Sequence, residues 1–376
     1  MKPEEHIYVH VPFCLKKCLY CSFYSVPYAE RAAKDYLKAL AAEIKSKVPS
    51  GAKPMTVYIG GGTPTALSCR ELSKLMQSLQ THFDLSGTEE FTIEANPGTL
   101  SMDKIKILKE STVNRISLGI QSFDDMKLEM LGRVHTSAQA TKAFTNLQNA
   151  GFSNLSIDLI YGVPGDSQTA WQKDLNSTAA LRPAHVSTYC LSIEPGTLFS
   201  DMLARGELAL PDEGLQRRLY EEAVSYLNTK GYDRYELSNF GLPEFCSRHN
   251  LAAWRYKPYL GLGPSAVSFD GITRSRNPAV LTDYLEKPAK PEDVEELSPS
   301  MQAAEIMMLA LRTQEGITAA EFKARSGLDL HETYGSVIEQ LIDRALLEEI
   351  QRADTTAFRI IDDCFFVSNE ILQEFF

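Results

Sequence analysis

The chain has 376 residues, of which 44% are hydrophobic and 23% charged, a balance typical of a folded globular protein with room for one large and one smaller domain. Its net charge of −11 argues against a nucleic-acid surface, which would carry a basic stripe. Residues 1–6 lack the apolar core of a signal peptide, and nowhere do eighteen apolar residues run together. We therefore expect a cytoplasmic protein with at most peripheral membrane contact.

The first half of the chain alternates short β-branched runs with longer amphipathic segments, which is the pattern of βα units in a parallel sheet. Six strands are predicted, at 7–11, 56–59, 91–95, 115–118, 155–160 and 186–193. Apolar residues at helical spacing predict intervening helices that include 36–48, 70–83 and 138–150. These units predict an α/β fold, a partial (β/α)6 barrel, whose open side would admit a large substrate.

Three of the seven cysteines, Cys14, Cys18 and Cys21, lie within eight residues directly after the first predicted strand. Thiolates at these spacings suit a short loop around an iron-sulfur cluster, and with only three protein ligands one iron stays open. A structural zinc site needs four protein ligands, usually as two separated pairs, and the sequence has no second Cys-x-x-Cys pair. Disulfides are disfavoured in a cytosolic chain with few cysteines. Three aromatic residues would shield a cluster from water: Phe13, Tyr20 and Phe23.

Polar residues and glycines follow the predicted strands, at the end where ligands collect in parallel α/β architectures. Gly60, Gly61 and Gly62 come after the second strand, and glycines there let backbone groups approach a ligand closely. A lone polar residue is more often capping or solvated than a ligand. Several at successive strand ends predict a binding pocket, and those here are Glu94, Gln121, Arg133 and Asp158.

The spacing Cys-x3-Cys-x2-Cys, with Tyr20 before the third cysteine, resembles the signature of the radical S-adenosylmethionine (SAM) superfamily. The resemblance implies a [4Fe-4S] cluster whose open iron binds the amino and carboxylate groups of SAM, and an electron donor whose electron cleaves SAM. The strand-end residues match the subgroup that resembles coproporphyrinogen dehydrogenase. This similarity covers nearly the whole chain and implies SAM contacts from Tyr8, Tyr20, Gly61, Gly62, Thr63, Glu94, Gln121, Arg133 and Asp158.

The second half of the chain begins where Pro195, Gly196 and Pro211 interrupt the βα pattern. We expect three domains: a radical SAM partial barrel over 1–205, an α+β haem or substrate region over 206–297, and a winged-helix-like cap over 298–376. The middle region is predicted to contain a helix at 213–230 and strands at 232–240 and 259–269.

The segment between those two strands, predicted as a loop, holds a histidine, a cysteine and several aromatic residues, the groups that a haem pocket uses. His249 is the predicted haem-binding residue and Cys246 the alternative, although a single histidine is more often structural. In the haem-chaperone branch of the family, a His-Asn-x-x-Tyr-Trp motif is associated with haem binding. This chain keeps the motif except that Ala253 replaces the tyrosine.

The final segment predicts helices at 301–312, 319–324 and 335–343 and strands at 346–350 and 357–361, a winged-helix-like order. From residue 300 onward, fourteen Asp and Glu residues face six Lys and Arg residues. Because such a surface would repel phosphates, we expect a structural or substrate-covering cap rather than a DNA-binding module.

Two departures separate the chain from coproporphyrinogen dehydrogenases. Those enzymes carry a fourth cysteine where this chain has Phe23, and a long segment ahead of the first strand where only seven residues precede Tyr8 here. Both favour the HemW-type haem chaperones, for which the resemblance implies a cluster, SAM, haem, haem-accepting apo-proteins and a homodimer. The alternative is oxygen-independent coproporphyrinogen III dehydrogenase activity, a radical oxidative decarboxylation to protoporphyrinogen IX. No catalytic residue is assigned.

Overall fold

The computed structural model describes residues 5–376; residues 1–4, the start of the predicted first domain, lie outside the described part. Its centre is a set of six parallel strands, each within a few residues of the predicted position. They are β1 (His6–Val11), β2 (Thr56–Gly61), β3 (Glu90–Ala95), β4 (Arg115–Gln121), β5 (Asn154–Tyr161) and β6 (His185–Cys190). This arrangement confirms the predicted α/β fold class.

Three short strands from the middle region extend the sheet at both edges: β7 (Asp233–Arg234), β8 (Asn239–Gly241) and β9 (Leu260–Leu262). The strand order is β9-β1-β2-β3-β4-β5-β6-β8-β7, with β9 parallel to β1 and β8 antiparallel to both β6 and β7. The single strand predicted over 232–240 is wrong, because the chain reverses between β7 and β8 and the two pieces pair with each other. One sheet therefore crosses the predicted boundary at residue 205.

Helices connect the strands and cover the outer face of the sheet. Those before residue 298 are α1 (Glu30–Lys47), α2 (Cys69–His82), α3 (Met102–Glu110), α4 (Asp125–Met130), α5 (Ser137–Asn149), α6 (Gln168–Leu181), α7 (Leu198–Ala204), α8 (Glu213–Thr229), α9 (Arg248–Trp254) and α10 (Leu281–Glu286). Short 3-10 turns occur at Pro64–Ala66, Leu85–Gly87 and Pro97–Thr99. Capping boxes at Ser68 and Thr136 begin α2 and α5, since each hydroxyl accepts from a first-turn amide.

Side chains alternate along each central strand between an apolar outer face and a polar inner face. In β1, Ile7, Val9 and Val11 are buried in the core that the sheet shares with the helices. The residues between them, and their counterparts on the other strands, face the interior of the partial barrel. This inner set includes Tyr8, His10, Tyr58, Glu94, Arg115, Ser117, Asp158, His185, Ser187 and Tyr189. A closed eightfold barrel packs this space with branched apolar side chains, whereas here it is available to polar ligands.

A second sheet, of three strands, follows the first: β10 (Val267–Phe269), β11 (Thr273–Arg276) and β12 (Asp293–Glu296). The carboxyl-terminal part then contains α11 (Pro299–Ala310), β13 (Ile317–Thr318), α12 (Ala319–Ser326), α13 (Leu330–Asp343), β14 (Leu347–Arg352), β15 (Thr355–Ile360) and α14 (Ser368–Leu372). Its strands form an antiparallel sheet in the order β13-β15-β14. This is the predicted winged-helix-like order, and 3-10 turns at Asp362–Val367 and Gln373–Phe375 complete the chain.

None of the helices between residues 5 and 376 is both long enough and apolar enough to cross a membrane.

A buried carboxylate joins α1 to the turn that follows the edge strand β9. Glu43 is fully buried, and its two oxygens accept from four donors. These are Lys47 Nζ at 2.7 Å, Asn277 Nδ2 at 2.6 Å, the Gly263 amide at 2.8 Å and the Tyr284 hydroxyl at 2.7 Å. Every acceptor position is used, as a buried charge requires.

Replacing Glu43 by Ala should lower the free energy of unfolding by about 3 kcal/mol, because four buried donors lose their acceptor at once. Urea unfolding followed by circular dichroism measures this. Glu30→Ala is the matched control on the same helix, since its pair with Lys34 is exposed, and it should leave the unfolding midpoint nearly unchanged. Equal midpoints for the two variants would show that the Glu43 network does not stabilise the fold.

Candidate functional site

The first cavity lies at the carboxyl ends of the central strands and has a volume of about 440 Å³. All three cysteines predicted to bind a cluster line it. So do eight of the nine predicted SAM contacts: Tyr20, Gly61, Gly62, Thr63, Glu94, Gln121, Arg133 and Asp158. The ninth, Tyr8, is not among the lining residues but stacks on Tyr58, which is, with ring centroids 6.2 Å apart.

The cysteine loop is closed by a short parallel ladder between Phe13–Cys14 and Val26–Pro27. Its middle is anchored on both sides, since the Leu19 amide donates to Leu131 O at 3.2 Å and Leu19 O accepts from the Phe199 amide at 3.0 Å. All three thiols are free and partly exposed, and burial raises the pKa of Cys21. Within residues 5–376, no three His, Cys, Asp or Glu residues are grouped to hold one metal ion. Cysteines around a cluster bind separate irons, so they need not converge on one atom.

The predicted aromatic shield is only partly in place. Phe13 is fully buried, but it packs against Tyr36 in the core with ring centroids 5.5 Å apart. Phe23 is 67% exposed, so in this structure it does not cover the cysteines. Tyr20 lines the cavity beside them.

Arg133 is a buried cation held over the cysteine loop. Its Nη1 donates to Cys18 Sγ at 3.4 Å and its Nη2 to Gly119 O at 2.5 Å. Burial by itself would lower the pKa of Arg133, but the neighbouring Tyr20 and Cys18 raise it, so the guanidinium stays charged. Its Nε is buried and finds no partner among the described residues. An unused donor on a fixed cation suits a carboxylate ligand.

Gly61 ends β2 beside the His10 ring, and Gly62 packs against the backbone of the cysteine loop. A Cβ on Gly62 would lie 2.8 Å from Phe13 O, and Gly61 has a φ of +105°, which side chains rarely adopt. The next residue, Thr63, donates its amide to Phe13 O at 2.7 Å, and its hydroxyl lies 3.5 Å from Cys14 Sγ. Glycine is therefore required at these two positions by close packing and by backbone conformation.

Two carboxylates line the cavity from β3 and β5, the strands on either side of β4. Glu94 accepts from the Tyr58 hydroxyl at 2.8 Å, and Asp158 accepts from Ser117 Oγ at 2.9 Å. Burial, with a contribution from the charge of Asp158, raises the pKa of Glu94 to about 7. Burial also raises the pKa of Asp158. A cationic group or a set of hydroxyl donors in this space would stabilise both ionised carboxylates.

Several cavity residues were not predicted from the sequence because they lie within strands or at their amino ends, not at the carboxyl ends. They are Tyr58, Arg115, Ser117, His185, Ser187 and Tyr189. The alternation of polar and apolar residues in each strand was the signal that identifies them. The predicted loop at 245–259 also contains a helix, α9, which begins at the N-cap Ser247.

The second cavity, of about 450 Å³, shares Ser22 and Phe23 with the first. It is lined by Tyr8, His10, Ser22, Phe23, Tyr24, His249, Ala253, Tyr259, Ser265 and Val267. His249 and Ala253 are one helical turn apart on α9 and so face the same side, while Asn250 faces the first cavity. The tyrosine of the chaperone motif would project from position 253 into this space.

His249 is half-buried and held on both sides. Its Nδ1 lies 2.8 Å from Thr56 Oγ1, and its ring stacks on Tyr58 with centroids 5.1 Å apart. Burial, together with His6, lowers the pKa of His249 to about 3, so the imidazole is neutral, as a metal ligand must be. Cys246, the alternative haem ligand, lines neither cavity, and burial raises its pKa.

Comparison with known protein families gives two matches. The Radical SAM superfamily matches residues 8–177, and the HemN C-terminal domain matches residues 297–352. The first range begins within β1 and contains the cysteine loop and β2 to β5, and the second contains most of the cap.

Curated relatives match along the whole chain. The heme chaperone HemW of Lactococcus lactis is 36% identical over 376 residues, covering 100% of this chain and 97% of the relative. The heme chaperone HemW of Bacillus subtilis is also 36% identical, covering 92% and 93%, and that of Escherichia coli is 34% identical, covering 87% of each.

Among solved structures, coproporphyrinogen III oxidase (HemN) of Escherichia coli, a radical SAM enzyme, superposes with a TM-score of 0.84. The superposition covers 99% of this chain and 90% of that one, at 22% identity. At that identity the similarity shows a shared fold and carries no information on the substrate.

The raised pKa of Glu94 predicts a pH-dependent stability of the ligand-free protein. The folded protein binds the Glu94 proton more tightly than the unfolded chain, so the stability that this proton contributes is fully present below about pH 4.5 and is lost as the pH rises through about 7. In urea unfolding, the stability of the wild type relative to Glu94→Gln should therefore fall by about 3 kcal/mol between these limits. A difference that stays constant with pH would contradict the raised pKa.

Proposed function

Because this chain belongs to the HemW family of the radical SAM superfamily, we propose that it is a cytoplasmic haem chaperone that binds a [4Fe-4S] cluster, SAM and haem and transfers haem to acceptor apo-proteins. The observation that carries the proposal is the pair of adjoining cavities. One is lined by the three thiols, the other contains His249, and Ser22 and Phe23 belong to both.

In the first cavity, Cys14, Cys18 and Cys21 would each bind one iron of the cluster. When bound, the cluster and SAM supply one-electron chemistry. Arg133 would bind the methionyl carboxylate with its unpaired Nε, and the ionised Glu94 and Asp158 would accept from the ammonium or ribose hydroxyl groups. The remaining proposed contacts are Tyr20, Gly61, Gly62, Thr63 and Gln121, with Tyr8 acting through Tyr58.

In the second cavity, His249 would bind the haem iron through Nε2. The aromatic side chains of Tyr8, Phe23, Tyr24 and Tyr259 provide flat walls for a macrocycle. A haem group fits this site, because His249 is neutral and fixed in orientation and the aromatic side chains beside it form an apolar slot. Cys246 remains the alternative ligand, although reaching this cavity would require it to move.

Acceptor apo-proteins and an electron donor complete the proposal, together with a homodimer and at most peripheral membrane contact. Nucleic acid is not proposed as a partner, because the segment from residue 300 to the end of the chain carries fourteen acidic against six basic residues.

The second candidate is oxidative decarboxylation of coproporphyrinogen III. The polar barrel interior that adjoins the cysteine loop favours it, since such a space can hold a substrate beside SAM. Phe23 favours the chaperone, because it stands where the dehydrogenases carry a fourth cysteine and it lines both cavities.

Anaerobic reconstitution of one sample, divided between two assays, distinguishes the two functions. We expect stoichiometric haem binding and transfer to a haem-depleted acceptor, with no formation of protoporphyrinogen IX. Clean conversion of coproporphyrinogen III without haem binding would overturn the proposal. When each variant is reconstituted in the same way, Cys18→Ala should lack the visible absorption of the cluster. Cys69→Ala, which lies outside the cysteine loop, should retain it.

Haem ligation by His249 predicts a specific spectroscopic loss. His249→Ala should remove or shift the Soret band of the haem complex, because the axial nitrogen is gone. Cys246→Ala is the matched control and should leave the band and the stoichiometry unchanged. The reverse result, with the band lost only in the Cys246 variant, would assign the thiol instead.

A further inference from the structure

His249 stands at one end of a hydrogen-bonded chain of three side chains, whose other two members, Thr56 and His6, are buried. His6 Nδ1 lies 2.9 Å from Thr56 Oγ1, and Thr56 Oγ1 lies 2.8 Å from His249 Nδ1. Thr56 is 2% exposed and His6 is 7% exposed, so little water competes for these bonds. Strand register accounts for the first pair, since His6 and Thr56 are direct neighbours on β1 and β2.

The hydroxyl of Thr56 limits how protons can be arranged in this chain. It has one proton to donate, so it can donate to only one of the two Nδ1 atoms. At least one of the two imidazoles must therefore carry its own proton on Nδ1. A neutral imidazole in that tautomer has the lone pair on Nε2, which is then free to bind a metal.

The surroundings of the two histidines are unequal. His249 lines the second cavity, whereas His6 does not. Among residues 5–376, the Nε2 of His249 makes no hydrogen bond, while its Nδ1 is held by Thr56. The Tyr58 ring stacks on the imidazole, and the His249 amide donates to Glu90 Oε1 at 3.1 Å. Ring plane, backbone and one nitrogen are thus all held, and only Nε2 is left for a ligand.

We propose that Thr56 and His6 are positioning residues that set the tautomer of His249. His249 donates its Nδ1 proton to Thr56, Thr56 donates its hydroxyl proton to His6 Nδ1, and the Nε2 lone pair of His249 faces the second cavity. A metal-binding histidine typically donates its other ring proton to such a fixed acceptor, which orients the ring and makes the free nitrogen more basic. The inference rests on the proposed function in that haem iron is the expected ligand.

The tautomer can be tested without haem. Protein labelled with ¹⁵N-histidine gives long-range ¹H-¹⁵N spectra that distinguish a proton on Nδ1 from one on Nε2, and His249→Ala identifies the signal. We expect His249 to carry its proton on Nδ1 in the wild type and in Thr56→Ser. In Thr56→Val, the Nδ1-protonated form should no longer be the dominant tautomer. A wild-type His249 protonated on Nε2 would overturn the inference, whatever the protein's function.

Titration with hemin tests the consequence for binding. Thr56→Val has nearly the same shape as threonine but no hydroxyl, and should bind hemin about 10- to 100-fold more weakly, while Thr56→Ser should bind like the wild type. Matching thermal unfolding midpoints would show that the variants are folded. Equal affinity in Thr56→Val and the wild type would overturn the positioning role.

His249→Ala separates this inference from the proposed function. If His249→Ala loses affinity for hemin and Thr56→Val does not, only the positioning role is wrong. If His249→Ala binds hemin as tightly as the wild type, the ligand assignment and the positioning role are both wrong. The proposed chaperone function would then still stand, with another residue as the haem ligand. If the wild type itself binds no hemin, the proposed function fails and the NMR spectrum alone decides the tautomer.

Discussion

The structure depends on the alternation of side chains along six parallel strands. Residues such as Ile7 and Val57 point outward and bury themselves under helices, and this apolar contact holds the sheet in its curved form. Their neighbours on the same strands must then point inward, and there they are polar. A barrel interior of this kind is stable only when its polar groups bond to one another or to a ligand, as Asp158 does with Ser117.

The cysteine loop follows from that arrangement. It lies over the carboxyl end of the sheet because Gly62, directly after β2, allows its backbone to approach: a Cβ there would lie 2.8 Å from Phe13 O. Arg133 then reaches the loop from the segment after α4 and stays charged in spite of its burial. Thiols, a cation with an unused donor and two carboxylates are thus collected from four separate parts of the chain.

The short helix α9 connects the two cavities physically. Its Asn250 faces the barrel interior and its His249 faces the second cavity. Tyr58 provides a second link, because its hydroxyl donates to Glu94 in the first cavity while its ring stacks on His249 in the second. Tyr58 therefore contacts both Glu94 and His249 and forms a wall between the two cavities.

The sequence by itself determined the strands, the cysteine spacing, the glycine segment and the polar residues at the strand ends, because these are local patterns of two to eight residues. It predicted the fold class, and the three cysteines and eight of the nine expected SAM contacts do line the first cavity. Only the tertiary structure decided that Tyr8 and His249 lie in a second cavity, that Cys246 lies outside both, that 232–240 folds back on itself and that β9 pairs with β1. These features depend on contacts between residues such as Thr56 and His249, which are 193 positions apart and which no local period can bring together.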